Sequence, residues 1–137
     1  MNTRIDDKIK EIEKYLYELE DITPKNFKEY VDDFKTKAAC EHYFEKIIEA
    51  CEDLVFLLVK LKGIKLPEKE ESIFDSLFEE NIIDSELSKK FKEAKGMRNL
   101  ISHEYGNVDD EIVFNSITKE IYEDVKHLIK YIRLFLK

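Results

Sequence analysis

The residues GMRNLISHEYG, at positions 96–106, combine side chains that can do chemistry on a phosphate. Arg98 is a permanent cation whose planar guanidinium suits a phosphate group, and Asn99 adds a neutral donor. His103 is predicted near a helix C-terminus, where the helix dipole favours its protonated form, so it can act as a general acid or base. An arginine and a histidine are a minimal set for cleaving an RNA phosphodiester. The ribose 2′-hydroxyl attacks, the histidine moves protons and the arginine stabilises the developing charge.

A helix through this segment turns by about 100° per residue and therefore has two distinct faces. An apolar stripe lies within about 40° of Leu87, and it comprises Leu87, Phe91, Ala94, Arg98, Ile101 and Tyr105. Nearly opposite lie Lys89, Lys92, Gly96, Asn99 and His103. Lys89 and Lys92 could guide a polyanion towards His103.

Arg98 and His103 are about 140° apart on a regular helix, so side chains of one copy would not grip a single phosphate. Two arrangements would bring them together: a bend in the last turn, or two copies of the helix meeting across a dimer. Gly96 favours the dimer, because it lets two backbones approach closely.

Each of these residues also has a purely structural interpretation. An arginine on an apolar stripe can form an ion pair, and a histidine in a last turn can simply complement the helix dipole. Tyr105 can be ordinary packing with its hydroxyl in water, and a run of lysines is usually a solvated face. The functional interpretation depends on all of them occurring together.

Other chemistries fit less well. The sequence has no glycine-rich phosphate loop, no nucleophile in a glycine elbow and no pair of histidines at metal-ligand spacing. A zinc site from Cys40, His42 and Cys51 would need ligands on different faces of one helix. We therefore expect neither a metal nor a cofactor.

Composition predicts the scaffold. With 137 residues, 39% of them charged and 43% apolar, and only three glycines, the chain is predicted to be a single helical domain spanning 1–137. It has no apolar run of the roughly 18 residues needed to cross a bilayer, and no secretion signal is recognisable. A net charge of −8 argues against a protein that binds nucleic acids in general.

The two cysteines are predicted to be reduced. Cys40 and Cys51 lie about 16 Å apart on one predicted helix, which is too far for a disulfide. They are expected to be core residues of a cytoplasmic protein.

Apolar periodicity predicts the helices of an all-α, antiparallel four- to five-helix bundle. The first covers residues 4–20. A long second helix, about 26–62, carries two stripes whose width indicates burial on two sides, in a bundle interior or partly against another chain. After a loop at 62–71 and a short helix near 72–80, Asp84 or Ser85 caps the motif helix and Gly106 ends it. NVDDE begins the last helix, whose predicted inner face runs from Ile117 to Phe135.

The motif RNLISHEY fits R-x-x-x-x-H-x-Y, and in this context the chain resembles the HepT-like toxins of the HEPN superfamily. EKIIEACEDL (45–54) resembles the long second helix of that family, with Glu49 and Asp53 at its acidic positions. The segments LPEKEESIFDSLFEENIID and YGNVDDEIVFNSI resemble the connector before the motif and the segment after it. The resemblance covers nearly the whole chain from about residue 26.

The resemblance implies a homodimeric ribonuclease toxin of a type VII-like toxin–antitoxin pair, with Arg98 and His103 as the catalytic pair in the dimer cleft. It implies that a minimal nucleotidyltransferase (MNT) antitoxin silences the toxin by attaching AMP to Tyr105. The acidic composition indicates a restricted RNA substrate, such as one class of tRNA. The alternative from another class is a non-catalytic helical module that docks a nucleotidyltransferase or binds a nucleotide, with Arg98 and His103 as phosphate ligands.

Overall fold

The computed structural model describes residues 3–66, 72–103 and 108–137. These residues form helices and their connections. In chain order the elements are α1 (Thr3–Ile22), α2 (Phe27–Asp32), α3 (Phe34–Lys62), α4 (Phe74–Glu79), α5 (Ser85–His103), α6 (Asp110–Asn115), a π-helical turn (Ser116–Glu120) and α7 (Ile121–Leu136).

The four long helices run antiparallel to their neighbours. Between α1 and α3, Lys8 Nζ lies 3.7 Å from Asp53 Oδ2, whereas Thr23 Oγ1 lies 3.7 Å from Cys40 Sγ, so residue numbers rise on one helix as they fall on the other. The same reversal is given by the contacts Arg98–Glu52 and Ser102–Glu45 between α5 and α3, and by Lys90–Asp124 and Tyr131–Asp84 between α5 and α7. The predicted all-α, antiparallel bundle is confirmed.

The predicted apolar stripes form one core cluster. The predicted core residues of α1 are all buried: Ile5, Ile9, Ile12, Leu16 and Leu19. On α3 the predicted flanking stripe is buried throughout (Ile48, Val55 and Val59), and the main stripe, buried up to Leu58, comprises Cys40, Phe44, Ile47, Cys51, Leu54, Leu58 and Leu61. The wide apolar arc of α3 therefore serves the bundle interior. Two predicted core residues are wrong: Leu61 is 45% exposed and Phe135 is 41% exposed. Each lies in the last turn of its helix, where other side chains cover the apolar stripe less completely than in the middle of the helix.

The predicted continuous helix from 26 to 62 is instead two helices, because Asp33 interrupts it. Asp33 has an extended backbone, with φ −106° and ψ 96°, and its side chain accepts hydrogen bonds from the backbone N–H groups of Lys35 and Thr36. An aspartate that satisfies the unpaired N–H groups of a first turn is an N-cap, so α3 begins afresh here. Upstream, Asn26 caps α2 in the same way, through Glu29.

The other boundaries agree more closely with prediction. Asp84, of the two candidates, caps α5: its Oδ1 accepts a hydrogen bond from the backbone N–H of Leu87 at 2.8 Å. The predicted last helix is divided into α6, which Asp109 caps, the π-helical turn and α7. Within the described residues, no helix combines the length and the apolar character that crossing a membrane requires.

Stacked phenylalanines attach α5 to α4, and their removal is a test of the core. The rings of Phe74 and Phe91 lie 4.4 Å apart at 16°, and both side chains are buried. We expect Phe91→Ala to lower the free energy of unfolding by about 3–5 kcal/mol, because it removes the stack and leaves a cavity. Urea denaturation measures this. Phe78→Ala is the control, since Phe78 on α4 is 41% exposed and its loss should cost roughly 0.5–1 kcal/mol. Equal losses in the two variants would contradict this role of the stack.

Candidate active site

The buried face of α5 carries an arginine among apolar side chains, as the spacing predicts. Leu87, Phe91 and Ile101 are 3%, 1% and 9% exposed, and Ala94 packs against the same core. Arg98 lies on this stripe with its side chain only 14% exposed. A cation held so far out of water needs an opposite charge close by.

Glu52 of α3 supplies that charge. Its Oε1 accepts a hydrogen bond from Arg98 Nη1, and the Glu52 side chain is itself only 21% exposed. The other end of the guanidinium, Nη2, lies 3.4 Å from Asn99 Oδ1. Arg98 therefore forms the ion pair that its structural interpretation predicts, and this contact also fixes the direction of the guanidinium.

Two further polar contacts join the C-terminal turns of α5 to α3. Lys95 Nζ lies 3.7 Å from the second carboxylate oxygen of Glu52, so one carboxylate lies between two cations. Ser102 Oγ donates a hydrogen bond to Glu45 Oε2 at 2.9 Å. The residue before His103 is thus attached to α3.

Glu52 and Lys95 were not among the site residues predicted from sequence. The acidic positions singled out on α3 were Glu49, which is exposed, and Asp53, which instead faces Lys8 of α1. A usable signal was present, because Glu52 interrupts the stripe of Ile48, Val55 and Val59 on α3. A carboxylate and an arginine that interrupt two buried stripes are a natural pair.

The opposite face of α5 points to solvent. Gly96, Asn99 and His103 are exposed, and a Cβ added at Gly96 would meet no atom within 4 Å. Leu100 is on this side too and is 45% exposed. Since α5 is α-helical through His103, no bend within its described residues brings His103 round to the side of Arg98.

The two lysines predicted to guide a polyanion differ in their surroundings. Lys89 is exposed. Lys92 forms an ion pair with Asp75 of α4, Nζ to Oδ1 at 2.8 Å, and Asp75 is buried at 5% exposure and also accepts a hydrogen bond from Ser88. Lys92 therefore helps to attach α4 to α5.

Comparison with known proteins places this geometry in a family. The profile of the family described as "Ribonuclease HepT-like" matches residues 6–132. The chain belongs to this family. The resemblance inferred from the motif is confirmed.

Three curated proteins illustrate the relationship. A putative RNase of Archaeoglobus fulgidus is 38% identical over 82 residues, covering 60% of this chain and 58% of that protein, so the chain spans less than two thirds of that relative. The tRNA nuclease HepT of Aphanizomenon flos-aquae is 29% identical over 115 residues, covering 83% of this chain and 78% of the relative. The mRNA nuclease HepT of Shewanella oneidensis is 24% identical over 105 residues, covering 77% and 78%.

A solved structure shares the fold. The tri-AMPylated HEPN toxin of Shewanella oneidensis, in complex with its MNT antitoxin, superposes with a TM-score of 0.88 at 23% identity. The superposition covers 98% of this chain and 99% of the toxin. The helical arrangement is therefore the same fold as that toxin's.

Tyr105 of the motif, and Gly106, where the sequence predicts the end of the motif helix, lie outside the described residues. Elsewhere, the described residues hold no group of three or more His, Cys, Asp or Glu side chains arranged to bind a metal ion. Cys40 and Cys51 are both free and buried, and burial raises the pKa of each thiol. Such thiols stay protonated near neutral pH and are poor nucleophiles.

Proposed function

We propose that this HepT-like protein is an endoribonuclease toxin that a nucleotidyltransferase antitoxin silences. The observation that carries the proposal is the placement of Arg98. In a chain of a ribonuclease family, Glu52 holds a guanidinium at a fixed point on α5, five residues before an exposed histidine. RNA substrates and an ATP-using partner are both consistent with a cytoplasmic protein.

The proposed reaction is cleavage by internal transfer and uses no cofactor. The ribose 2′-hydroxyl attacks the adjacent phosphorus and gives up its proton, with His103 of one subunit moving protons as general acid or base. The bond to the 5′-oxygen breaks, and that oxygen leaves as a hydroxyl after taking up a proton. Arg98 binds the non-bridging oxygens, whose charge is greatest in the transition state. The products are a 2′,3′-cyclic phosphate and a 5′-hydroxyl.

The dimer is part of the proposal, because one copy of α5 presents Arg98 and His103 to different sides. Two copies facing each other through the outer face of α5 would place a histidine from each in one cleft. The Nη2 end of each Arg98, which lies 3.4 Å from Asn99 Oδ1 of that face, would lie at the border of the cleft. The open space at Gly96 and the exposed Leu100 support this face as the contact: backbones can approach at the glycine, and the leucine gains by leaving water.

We propose that the protein cleaves a restricted class of RNA and that tRNA is the favoured substrate. A net charge of −8 and carboxylates on α3 beside Arg98 oppose binding to RNA in general, so productive binding needs a close fit. Of the two HepT nucleases compared above, the one acting on tRNA is the more similar to this chain, at 29% against 24% identity.

The antitoxin is proposed to act at Tyr105. This residue falls two turns after Arg98 on the same stripe of the sequence pattern, so an attached AMP would bring a negative phosphate towards the guanidinium and occupy the phosphate site. AMP transfer from ATP to the phenol releases pyrophosphate. The shared fold with the tri-AMPylated Shewanella oneidensis toxin supports a partner of the same kind.

The proposed dimer can be tested at Gly96. We expect Gly96→Trp to make the protein monomeric in light scattering at micromolar concentration, because the indole would separate the two helices. The fold should persist, since Gly96 is exposed and a Cβ added there meets no atom within 4 Å beyond its own helix backbone and chain neighbours. Lys14→Trp, at an exposed position on α1, is the control and should remain dimeric. The chain has no other tryptophan, so indole fluorescence also reports whether the new side chain is in water. A dimer that survives Gly96→Trp would rule out this interface.

The proposed cleavage can be tested with tRNA in EDTA. We expect activity to persist without divalent metal and to leave a 2′,3′-cyclic phosphate, identified by mass spectrometry. His103→Ala should lower the rate by about 10²–10⁴-fold and Arg98→Ala by about 10²–10³-fold. His127→Ala, an exposed histidine on α7, should cleave normally. Activity that EDTA abolishes and magnesium restores would overturn the mechanism, and RNA binding without cleavage would favour the non-catalytic binding module.

The regulatory role of Tyr105 can be tested by coexpression with the antitoxin. We expect Tyr105→Phe to keep its RNA cleavage but to escape silencing, because it lacks the oxygen that accepts AMP. Mass spectrometry of the wild-type protein should find AMP increments on Tyr105 alone. Tyr17→Phe, which removes a hydroxyl from a side chain that is 72% exposed, should still be silenced. AMP on another residue, or ATP-dependent silencing of Tyr105→Phe, would refute the assignment.

A further inference from the structure

We propose that Glu52 is a positioning residue for Arg98: its carboxylate holds one edge of the guanidinium so that the remaining edges face the RNA phosphate. This inference rests on the proposed ribonuclease function and assigns a residue outside the R-x-x-x-x-H-x-Y motif to the site. Its basis is the contact of Glu52 Oε1 with Arg98 Nη1, together with the 3.7 Å approach of Lys95 Nζ to Oε2.

Burial makes this contact decisive for where Arg98 points. The side chains of Arg98 and Glu52 are 14% and 21% exposed, so water can compensate only part of either charge. Glu52 is the only carboxylate among the described residues that pairs with Arg98. Without it, the guanidinium would have to leave its position on the stripe to recover solvation.

The geometry of arginine lets Glu52 remain bound while RNA binds. A guanidinium has five N–H donors in one plane, and Glu52 uses the Nη1 edge. Within the described part of the chain, Nη2 has the long 3.4 Å contact with Asn99 Oδ1, which a phosphate oxygen can replace without disturbing the ion pair. Glu52 therefore orients the cation instead of competing for it.

The same carboxylate fixes the spacing of two cations. Lys95 lies one turn before Arg98 on α5 and is 33% exposed, which is more open than Arg98. With both attached to one carboxylate, the ammonium and the guanidinium stay on one side of α5, next to α3. Lys95 is thereby placed to contact the phosphate that neighbours the one bound by Arg98.

A rigid support makes Glu52 suited to this role. Its neighbours Cys51, Leu54 and Val55 on α3 are completely buried, so the backbone that carries Glu52 is anchored on both sides. Precise placement matters for catalysis, since a displacement of about 1 Å at a reacting group can cost about 100-fold in rate.

The test separates position from charge with two substitutions. Glu52→Ala removes the acceptor and should lower kcat by about 10–100-fold with KM changed less than about threefold, because a mobile guanidinium still attracts phosphate but seldom meets the transition state. Glu52→Gln keeps an acceptor oxygen and should recover kcat to within about fivefold of wild type. The matched control is Asp53→Ala. It removes the same charge one residue along α3, from a side chain that is 66% exposed and faces Lys8, and should leave kcat unchanged.

A double-mutant cycle checks that Glu52 acts through Arg98. In an Arg98→Lys background, which retains a cation but not the planar fork, adding Glu52→Ala should cause little further loss. Additive losses would overturn the inference, as would a Glu52→Ala enzyme with wild-type kcat or a Glu52→Gln enzyme as impaired as Glu52→Ala.

A second readout does not depend on cleavage. The side-chain Nε–H resonance of Arg98 should be sharp in ¹⁵N NMR of the wild type, Glu52→Gln and Asp53→Ala, and broadened or lost in Glu52→Ala. If the wild type cleaves no RNA, the proposed function fails, yet the loss of this resonance in Glu52→Ala alone would still support the positioning. An unchanged resonance in Glu52→Ala would overturn the positioning, whatever the cleavage result.

Discussion

The ion pair between Arg98 and Glu52 constrains how the two central helices of the bundle can pack. Each charge interrupts an otherwise apolar stripe, and each is mostly removed from water. If α5 slid along α3 by one turn, about 5.4 Å, towards the C-terminal end of α3, Arg98 would leave Glu52 for the apolar residues around Val55. The opposite slide would exchange Glu52 for Glu49, which is exposed. The pair therefore selects one register from several that apolar packing alone would tolerate. That register determines where every other residue of the motif helix lies.

The two sides of the motif helix α5 make different contacts. The inner side combines core packing, through Leu87 and Phe91, with the attachment of a cation to α3. The outer side pairs Lys92 with Asp75 of α4 and, nearer the C-terminus of α5, presents Gly96, Asn99 and His103 to solvent. A helix with only a structural role would need the first side alone. Gly96 and Leu100 on the second side are exposed and lie outside the core of the subunit, so they fit a role in contacts with another molecule.

The sequence predicted the features that depend on spacing along one helix and missed those that depend on a cap or on packing between helices. Helical periodicity correctly predicted that Arg98 shares one face of α5 with Leu87 and Phe91, because angular position on a helix depends only on spacing. The break at Asp33 was missed because apolar residues continue on both sides of it and only the cap reveals it. Leu61 and Phe135 continue their stripes into the last turns of their helices, and spacing cannot reveal how completely other side chains cover them there. The partner of Arg98 was missed for a related reason: several carboxylates on α3 were available, and the choice among them depends on the packing of one helix against another.

The carboxylates of α3 also affect how quickly an RNA molecule and this protein would find each other. On α3, Glu52 contacts the guanidinium, and Glu49 and Glu45 lie one and two turns before it along the helix. At physiological ionic strength, charges act over about 8 Å, so an approaching strand meets this acidic helix before it can contact Arg98. Long-range attraction between a basic protein and RNA raises the association rate, and the carboxylates of α3 would reduce that attraction here. Association then depends on rare, well-oriented collisions, and abundant RNAs of the wrong shape would be turned away before they are bound.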